Sequence, residues 1–464
     1  YISSLHSEDV VGHIKKIKKQ SSYIASSAQK SIYYTVTKEG DNSITYNTPG
    51  GLLFDGYPNI EKLEKCFQVL IKRHESLRTY FVIENQELKQ KILEPFTYHL
   101  NVIHNSNDKI EDLFTDFIRP FDLASAPLFR SMLVLLQDGH SILLLDFHHI
   151  ICDGESISLF LQELCELYKG NTLPESTIDY KDYTYWEQEK IDSPEYKEME
   201  NYWISQFRNE IPVLNMPTNF ARPTSLTFEG NKITSKIDQS KAIYDLCHQF
   251  HITPYLFFLA AYYILLYKYT GQKDIIVGTP VAGRPHKELH QIIGMFVNSL
   301  ALREKISPDE TVLQLMNRVM QNCFDAFKNE FYPFDELVKK LNLSIDTSRN
   351  PLFDTMFVYQ NDGMKQIQLG DLKATYYLPH STISKFDFTL EILPDENQFT
   401  VHLEYNKNLY TQDFMESFLM HYFELIANIL KNPETTISQI SILDAQEKND
   451  ILYHFNSCQS NLLK

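Results

Sequence analysis

The stretch FHHIICDGES, residues 147–156, brings two imidazoles, a carboxylate and a glycine into one short run at the end of an apolar segment, Ser141–Phe147. Adjacent residues at a strand end point to opposite faces. His148 and His149 therefore do not both face one cavity: one packs and bonds inside, and the other looks into a cleft. A neutral histidine in a cleft accepts a proton or donates a hydrogen bond to a developing oxyanion. Asp153 is spaced to sit beneath the intervening loop and fix it, particularly if an arginine reaches it. Gly154 leaves room where a side chain would block a substrate. No nucleophile accompanies them: there is no GxSxG, and Cys152 has an apolar context without a basic neighbour. The chemistry is then direct transfer between two bound substrates, with no acyl-enzyme. The plainer role of a strand-end histidine is that of a hydrogen-bonding core residue. A metal site is disfavoured, because adjacent ligands diverge.

The elements that must hold these residues are legible around them. Asp138-Gly139 between two apolar runs predicts a hairpin. Ile157–Tyr168 has a one-faced apolar pattern, predicting a helix with Ser156 as its N-cap. Upstream, Lys62–Arg73 reads as an amphipathic helix, SLRTYFVIEN and LKQKILE as paired strands, and Phe114–Ile118 as helical. The polar region Lys169–Pro194 is the expected boundary between two lobes. Beyond it come a helix through Trp203 and Phe207, a strand at KITSKID, a buried helix at Tyr255–Tyr269, a strand at Asp274–Thr279 and further alternation to about Leu443. Val10, Val11, Ile14 and Ile17 have helical spacing. The class is mixed α/β.

With 464 residues, the chain exceeds one ordinary core. A net charge of −17 argues against nucleic acid or an anionic membrane as the main partner. The longest apolar stretch, Pro254–Tyr269, is too short to span a bilayer, and no signal peptide is visible. Six cysteines form no CxxC pair, which suits reduced, mostly buried thiols in a cytoplasmic protein. The start at Tyr1 reads as an excised or processed piece.

The run FHHIICDGES matches the HHxxxDG signature of condensation domains from nonribosomal peptide synthetases. Further blocks follow that family's order. SSAQKSIYY (Ser26–Tyr34) resembles SxAQxR, and RHESLRTYF (Arg73–Phe81) matches RHExLRTxF. YKDYTYW (Tyr180–Trp186) resembles YxDYAxW, and IGMFVNSLALR (Ile293–Arg303) resembles IGxFVNTxxxR. YPFDELV (Tyr332–Val338) and DTSRNPLFD (Asp346–Asp354) complete the series. The resemblance covers roughly residues 20–445. Ser31 stands where the family usually has arginine, and Ser299 where threonine is common.

The resemblance implies two chloramphenicol acetyltransferase-like lobes in a V-shaped pseudo-dimer with a central tunnel. The lobes would span 21–190 and 191–445. Residues 1–20 resemble a carrier-protein end and linker, and 446–464 a linker toward an adenylation domain. It implies amide formation between a donor on an upstream carrier protein and an acceptor on a downstream one. Both substrates ride on phosphopantetheine arms, with no cofactor or metal bound by the domain itself. His149 would be catalytic; His148 and Asp153 would be mainly structural. Arg284 is the first candidate partner for Asp153, with Arg73 and Arg78 behind it. Asn298 would hydrogen-bond near the reacting centre or stabilise a turn. Trp186, Trp203 and Phe296 are expected core aromatics. Marks of epimerisation, cyclisation and dual members are absent, and the carrier-like start favours an L-configured donor. Two other readings stay open: a coenzyme A-dependent acyltransferase of the same superfamily, and a non-catalytic recruitment domain.

Overall fold

All eight residues of the strand Ser141–His148 are buried. A strand without a solvent face must be covered on both sides, and this requirement organises the first half of the chain. The computed structural model describes residues 13–454 except 41, 105–108, 345, 361–366, 380–381 and 396. The order begins β1 (Tyr23–Ile24), α1 (Ser27–Glu39), β2 (Asn47–Phe54), α2 (Ile60–Arg73), β3 (Thr79–Glu84), β4 (Glu87–Ile92) and β5 (Asn101–His104). It continues α3 (Ile110–Phe117), β6 (Phe129–Leu135), β7 (Ser141–His148), α4 (Gly154–Lys169), α5 (Tyr180–Lys190) and α6 (Pro194–Gln206). Leu143, Leu145 and Phe147 of β7 face a core with Phe67 and Leu70 of α2 and Phe160 and Leu164 of α4. Ile142 and Leu144 face Leu113, Phe114 and Phe117 of α3. Two covered faces explain why this strand reads as an unbroken apolar run. β6 and β7 pair antiparallel, Leu135 opposite Ser141, through the expected Asp138-Gly139 turn, where Gly139 has φ +90°.

The second half follows as β8 (Gly230–Ile237), α7 (Ser240–Gln249), α8 (Pro254–Thr270), β9 (Asp274–Val281), β10 (Asn298–Lys305), α9 (Val312–Lys328) and α10 (Phe334–Leu341). Then come β11 (Thr355–Tyr359), β12 (Ile367–Leu369), β13 (Leu372–Tyr377), β14 (Phe388–Pro394), β15 (Phe399–Asn406) and α11 (Gln412–Lys431). Every residue of α8 from Leu256 to Leu266 is buried, so its apolar character all round is that of a core helix. Among the described residues no single helix is long and apolar enough to cross a membrane. The five described cysteines are free and buried; Cys458 lies outside the described residues. Trp186, Trp203 and Phe296 are all buried.

Two six-stranded sheets result, β12-β13-β2-β7-β6-β5 and β10-β9-β11-β14-β15-β8, beside a small β1-β4-β3 sheet. Sheet membership does not follow chain order: β13, late in the sequence, pairs antiparallel with β2, Tyr377 opposite Gly51. The polar region expected to separate two lobes contains α5. Its Tyr180, Tyr183 and Trp186 pack with Ile14, Leu289, Ile292 and Phe296 into a junction core. Its charges are buried because they are satisfied. Lys181 pairs with Glu75, and Asp182 accepts the N–H groups of Ile17 and Asp179, each at 2.7 Å. Those bonds also overturn the expected N-terminal helix where it is described. Residues 13–19 are irregular, with Ile14 inserted in the junction core and Ile17 tied to Asp182; Val10 and Val11 lie outside the described residues.

Candidate active site

β7 ends at His148, and the two imidazoles part as the pleat requires. His148 is buried against Phe121 (ring centroids 5.9 Å) and Tyr46 (6.5 Å), and its Nδ1 accepts the Ile150 N–H at 3.2 Å. Burial, with His149 and Lys385 adding to it, lowers its pKa to about 3. His149 begins the turn after the strand. Its main-chain N–H donates to the Tyr46 carbonyl at 2.8 Å, and its Nδ1 lies 2.8 Å from the Cys152 carbonyl. A carbonyl only accepts, so Nδ1 carries the proton and Nε2 holds a lone pair. Burial, reinforced by Lys385, lowers the His149 pKa to about 4. The Cys152 thiol is buried and pushed well above its usual pKa by desolvation and by Asp153.

Asp153 caps α4: its Oδ1 accepts the Ser156 N–H at 2.8 Å. The cap is therefore Asp153 and not Ser156, because the helix starts three residues earlier than its apolar stripe. Oδ1 also accepts from Arg284 Nη2 at 2.9 Å, and Oδ2 from the Phe296 N–H at 3.0 Å. Arg284 bonds the Ile292 carbonyl at 2.8 Å and the Leu289 carbonyl, and its guanidinium lies 4.0 Å from the Phe296 ring centroid. The Ser156 hydroxyl receives Arg284 Nη2 at 2.7 Å and the Gly294 N–H at 3.0 Å. So the segment from Arg284 to Phe296 is clamped onto the strand–turn–helix of the histidines. Arg73 and Arg78 do not reach Asp153, since both are spent elsewhere. Arg73 binds Glu163 at 2.9 Å, and Arg78 binds the Ile71 carbonyl at 2.8 Å and that of Leu93. A Cβ on Gly154 would meet nothing within 4 Å, and the residue lies outside the cavity lining.

That cavity holds about 670 Å³ and takes its walls from both halves of the chain, including α1, Tyr46, His149, Glu187, Asn298, Phe353 and Lys385. Among the described residues no group of three or more His, Cys, Asp or Glu is placed to hold a metal ion. A family model described as the condensation domain matches residues 19–452. The chain belongs to the condensation-domain family. This condensation domain is 39% identical to gramicidin S synthase 2 of Brevibacillus brevis over 99% of its own length and 10% of the synthase. It is 40% identical to surfactin synthase subunit 1 of Bacillus subtilis (strain 168), over 96% of its length and 12% of that subunit. It thus spans about a tenth of the curated relatives that it matches. In fold it is similar to the X-domain from teicoplanin biosynthesis, with TM-score 0.83, 20% identity and coverage of 93% and 100% of the two chains. It is also similar to the first condensation domain of the calcium-dependent antibiotic synthetase, with TM-score 0.78, 18% identity and coverage of 92% and 100%.

In the condensation domain Asn298 is fully engaged by main chain. It donates to the Glu330 and Tyr332 carbonyls at 2.8 Å each and accepts the Phe334 N–H at 3.1 Å. It thereby holds the cavity wall at residues 330–334. Sequence reasoning passed over several polar lining residues, among them Tyr46, Glu187, Asp335 and Lys385. Glu187, held up to about 7 by burial, accepts the Ser27 N–H at 3.1 Å. Asp335 is also raised by burial, and the hydroxyl of Ser31, the residue standing where arginine is usual, bonds it. The signal for Asp335 was that departure from SxAQxR. Tyr46 and Lys385 gave none: Tyr46 is brought to His149 by the pairing of β2 with β7, and Lys385 reaches the cavity from the other sheet.

Proposed function

We propose that this domain forms an amide bond between two thioester substrates held on separate carrier proteins. The amine of an acceptor aminoacyl thioester attacks the carbonyl carbon of a donor acyl or peptidyl thioester, each on a phosphopantetheine arm. The observation that carries this reading is the His149 ring in the cavity wall, with Nδ1 occupied by the Cys152 carbonyl and Nε2 left to accept. The amine hydrogen-bonds Nε2 and passes its proton there as the N–C bond forms. The C–S bond then breaks, and the departing thiolate takes that proton. The raised, buried Cys152 thiol is no competing nucleophile, which supports direct transfer. His148, Asp153, Ser156 and Arg284 hold the turn that aims His149, and Gly154 begins the helix behind it. The domain needs no resident cofactor in this scheme.

The same reading makes 21–190 and 191–445 two lobes in a V around a tunnel, with 1–20 a carrier end and 446–464 a linker to an adenylation domain. The donor end is L-configured, and the assembly works in the cytoplasm. Relatives that are synthases of gramicidin S and surfactin support this setting. The test loads a donor carrier with a short acyl or peptidyl group and an acceptor carrier with an amino acid. The acceptor is then followed by intact mass. The expected result is an acceptor heavier by the donor group, with the rate reduced about 10²–10⁴-fold in His149→Ala. Transfer from acyl-coenzyme A to a free amine or alcohol, with none between carriers, would overturn the proposal.

A further inference from the structure

Lys385 is a polar group in the cavity wall that the histidine chemistry leaves without a task. It sits just ahead of β14, its main chain fixed by Asn350 Nδ2 on its carbonyl at 3.0 Å. Its ammonium lies 4.3 Å from the centroid of the Tyr46 ring, and among the described residues it has no hydrogen-bond acceptor or carboxylate partner. Tyr46 connects it to the reacting centre: the Tyr46 carbonyl takes the His149 N–H at 2.8 Å, while the Tyr46 ring lies under Lys385. Glu39 and Glu404 act on it only at longer range, and burial lowers its pKa. A partly buried lysine without a partner is costly unless an anion forms beside it.

The reaction forms such an anion. As the amine attacks, the electron pair of the thioester C=O moves onto oxygen. His149 cannot serve that oxygen, because its one ring proton is on Nδ1, bonded to the Cys152 carbonyl, and Nε2 only accepts. Among the described residues lining the cavity, the lysines are Lys38 and Lys385, and Lys38 is exposed in the last turn of α1.

We propose that Lys385 is a second catalytic residue, its ammonium contacting the donor thioester carbonyl oxygen and balancing the negative charge that forms there. This rests on the amide-forming reading above. Attack makes the N–C bond and places the charge on oxygen beside Lys385, while the amine proton goes to His149 Nε2. Collapse restores C=O and breaks C–S, and the thiolate leaves with the proton from His149. A developing anion beside the lysine also favours its charged form.

The test uses the full chain with both loaded carriers in single-turnover mode, comparing wild type, Lys385→Met and Lys385→Arg. Lys385→Met is expected to slow transfer about 10²–10³-fold at saturating carriers, as loss of one oxyanion donor does. Lys385→Arg should recover at least about tenfold of that loss, the scale of a partly restored charge contact. Binding of a phosphonamidate mimic of the tetrahedral adduct gives a readout that packing alone would not move. Wild type should prefer it over the neutral amide, and Lys385→Met should lose that preference. A Met variant within about threefold of wild type, or one altered only in KM, would overturn the role of Lys385 while leaving the amide-forming reading intact. A wild type that transfers but shows no preference for the anionic mimic would do the same, even if the Met variant fails to fold. A wild type that transfers nothing would instead overturn the underlying reading.

Discussion

In the proposed reaction His149 serves as a base that its surroundings keep unprotonated. Desolvation moves its pKa down to about 4, so it takes a proton only below that value, well under the ordinary histidine range. The acid limb of kcat/KM assigned to His149 is therefore expected near pH 4 and not near 6.5. Glu187 lines the same cavity, and burial raises its pKa to about 7, so it loses its proton as pH rises through neutrality. A pH–rate profile in a Glu187→Gln background separates the two. The step near 7 should disappear, and the limb near 4 should stay. A limb that remains near 6.5 would show that His149 is solvated during the reaction. The HHxxxDG run made His149 visible in the sequence. Its tautomer was not visible, because that depends on where the Cys152 carbonyl turns.

The turn after β7 and the start of α4 are held by the burial of Ile150, Ile151 and Cys152 and by the Asp153 cap. Facing them is the loop from Arg284 to Phe296, entered through Gly283 at φ +64°, where a Cβ would stand 1.9 Å from the Phe296 carbonyl oxygen. No side chain fits there without moving the strand-end loop, and left-handed backbone adds strain for any other residue. Gly283→Ala is expected to lower the unfolding midpoint clearly, by more than the roughly 1–3 kcal/mol of backbone strain alone. Gly154→Ala should leave the midpoint almost unchanged, since a Cβ there meets nothing within 4 Å. Thermal unfolding of the two variants side by side checks this, and equal midpoints would refute it. The helix Ile157–Tyr168 was legible by its apolar stripe, but its cap was not. The stripe marks only the buried face, whereas the first turn is fixed by Asp153, which belongs to the clamp.

Two sheets share one junction, and polar contacts hold it together as much as apolar ones do. Arg284, from the second half of the chain, pairs with Asp153 from the first, both side chains 1% exposed. Removing one member of a buried pair leaves an uncompensated charge and costs about 3–5 kcal/mol. Arg284→Met should lose stability of this order. It should also split a single calorimetric unfolding transition into two, because it disconnects the loop from Arg284 to Phe296 from the histidine turn. One unchanged transition would mean that the junction core and the β13–β2 pairing alone couple the halves. The polar segment expected to be a boundary proved to be part of this coupling. Composition cannot distinguish a solvated linker from a helix whose charges, Lys181 with Glu75 and Asp182 with two main-chain N–H groups, are satisfied by distant partners.

Local pattern was enough for the mixed α/β class, the hairpin of β6 and β7, the buried helix α8 and the place of the histidines. Each of these is set by periodicity, turn residues or residue type within a short window. The tertiary structure alone decided that Arg284, and not Arg73 or Arg78, meets Asp153. It also decided that β13 joins the sheet of β2, and that Lys385 and Tyr46 stand beside His149. Those pairings join residues far apart in the chain, and they are selected by the satisfaction of buried charges and strand edges, which no one segment decides by itself, even where, as for Arg284, the sequence names a first candidate.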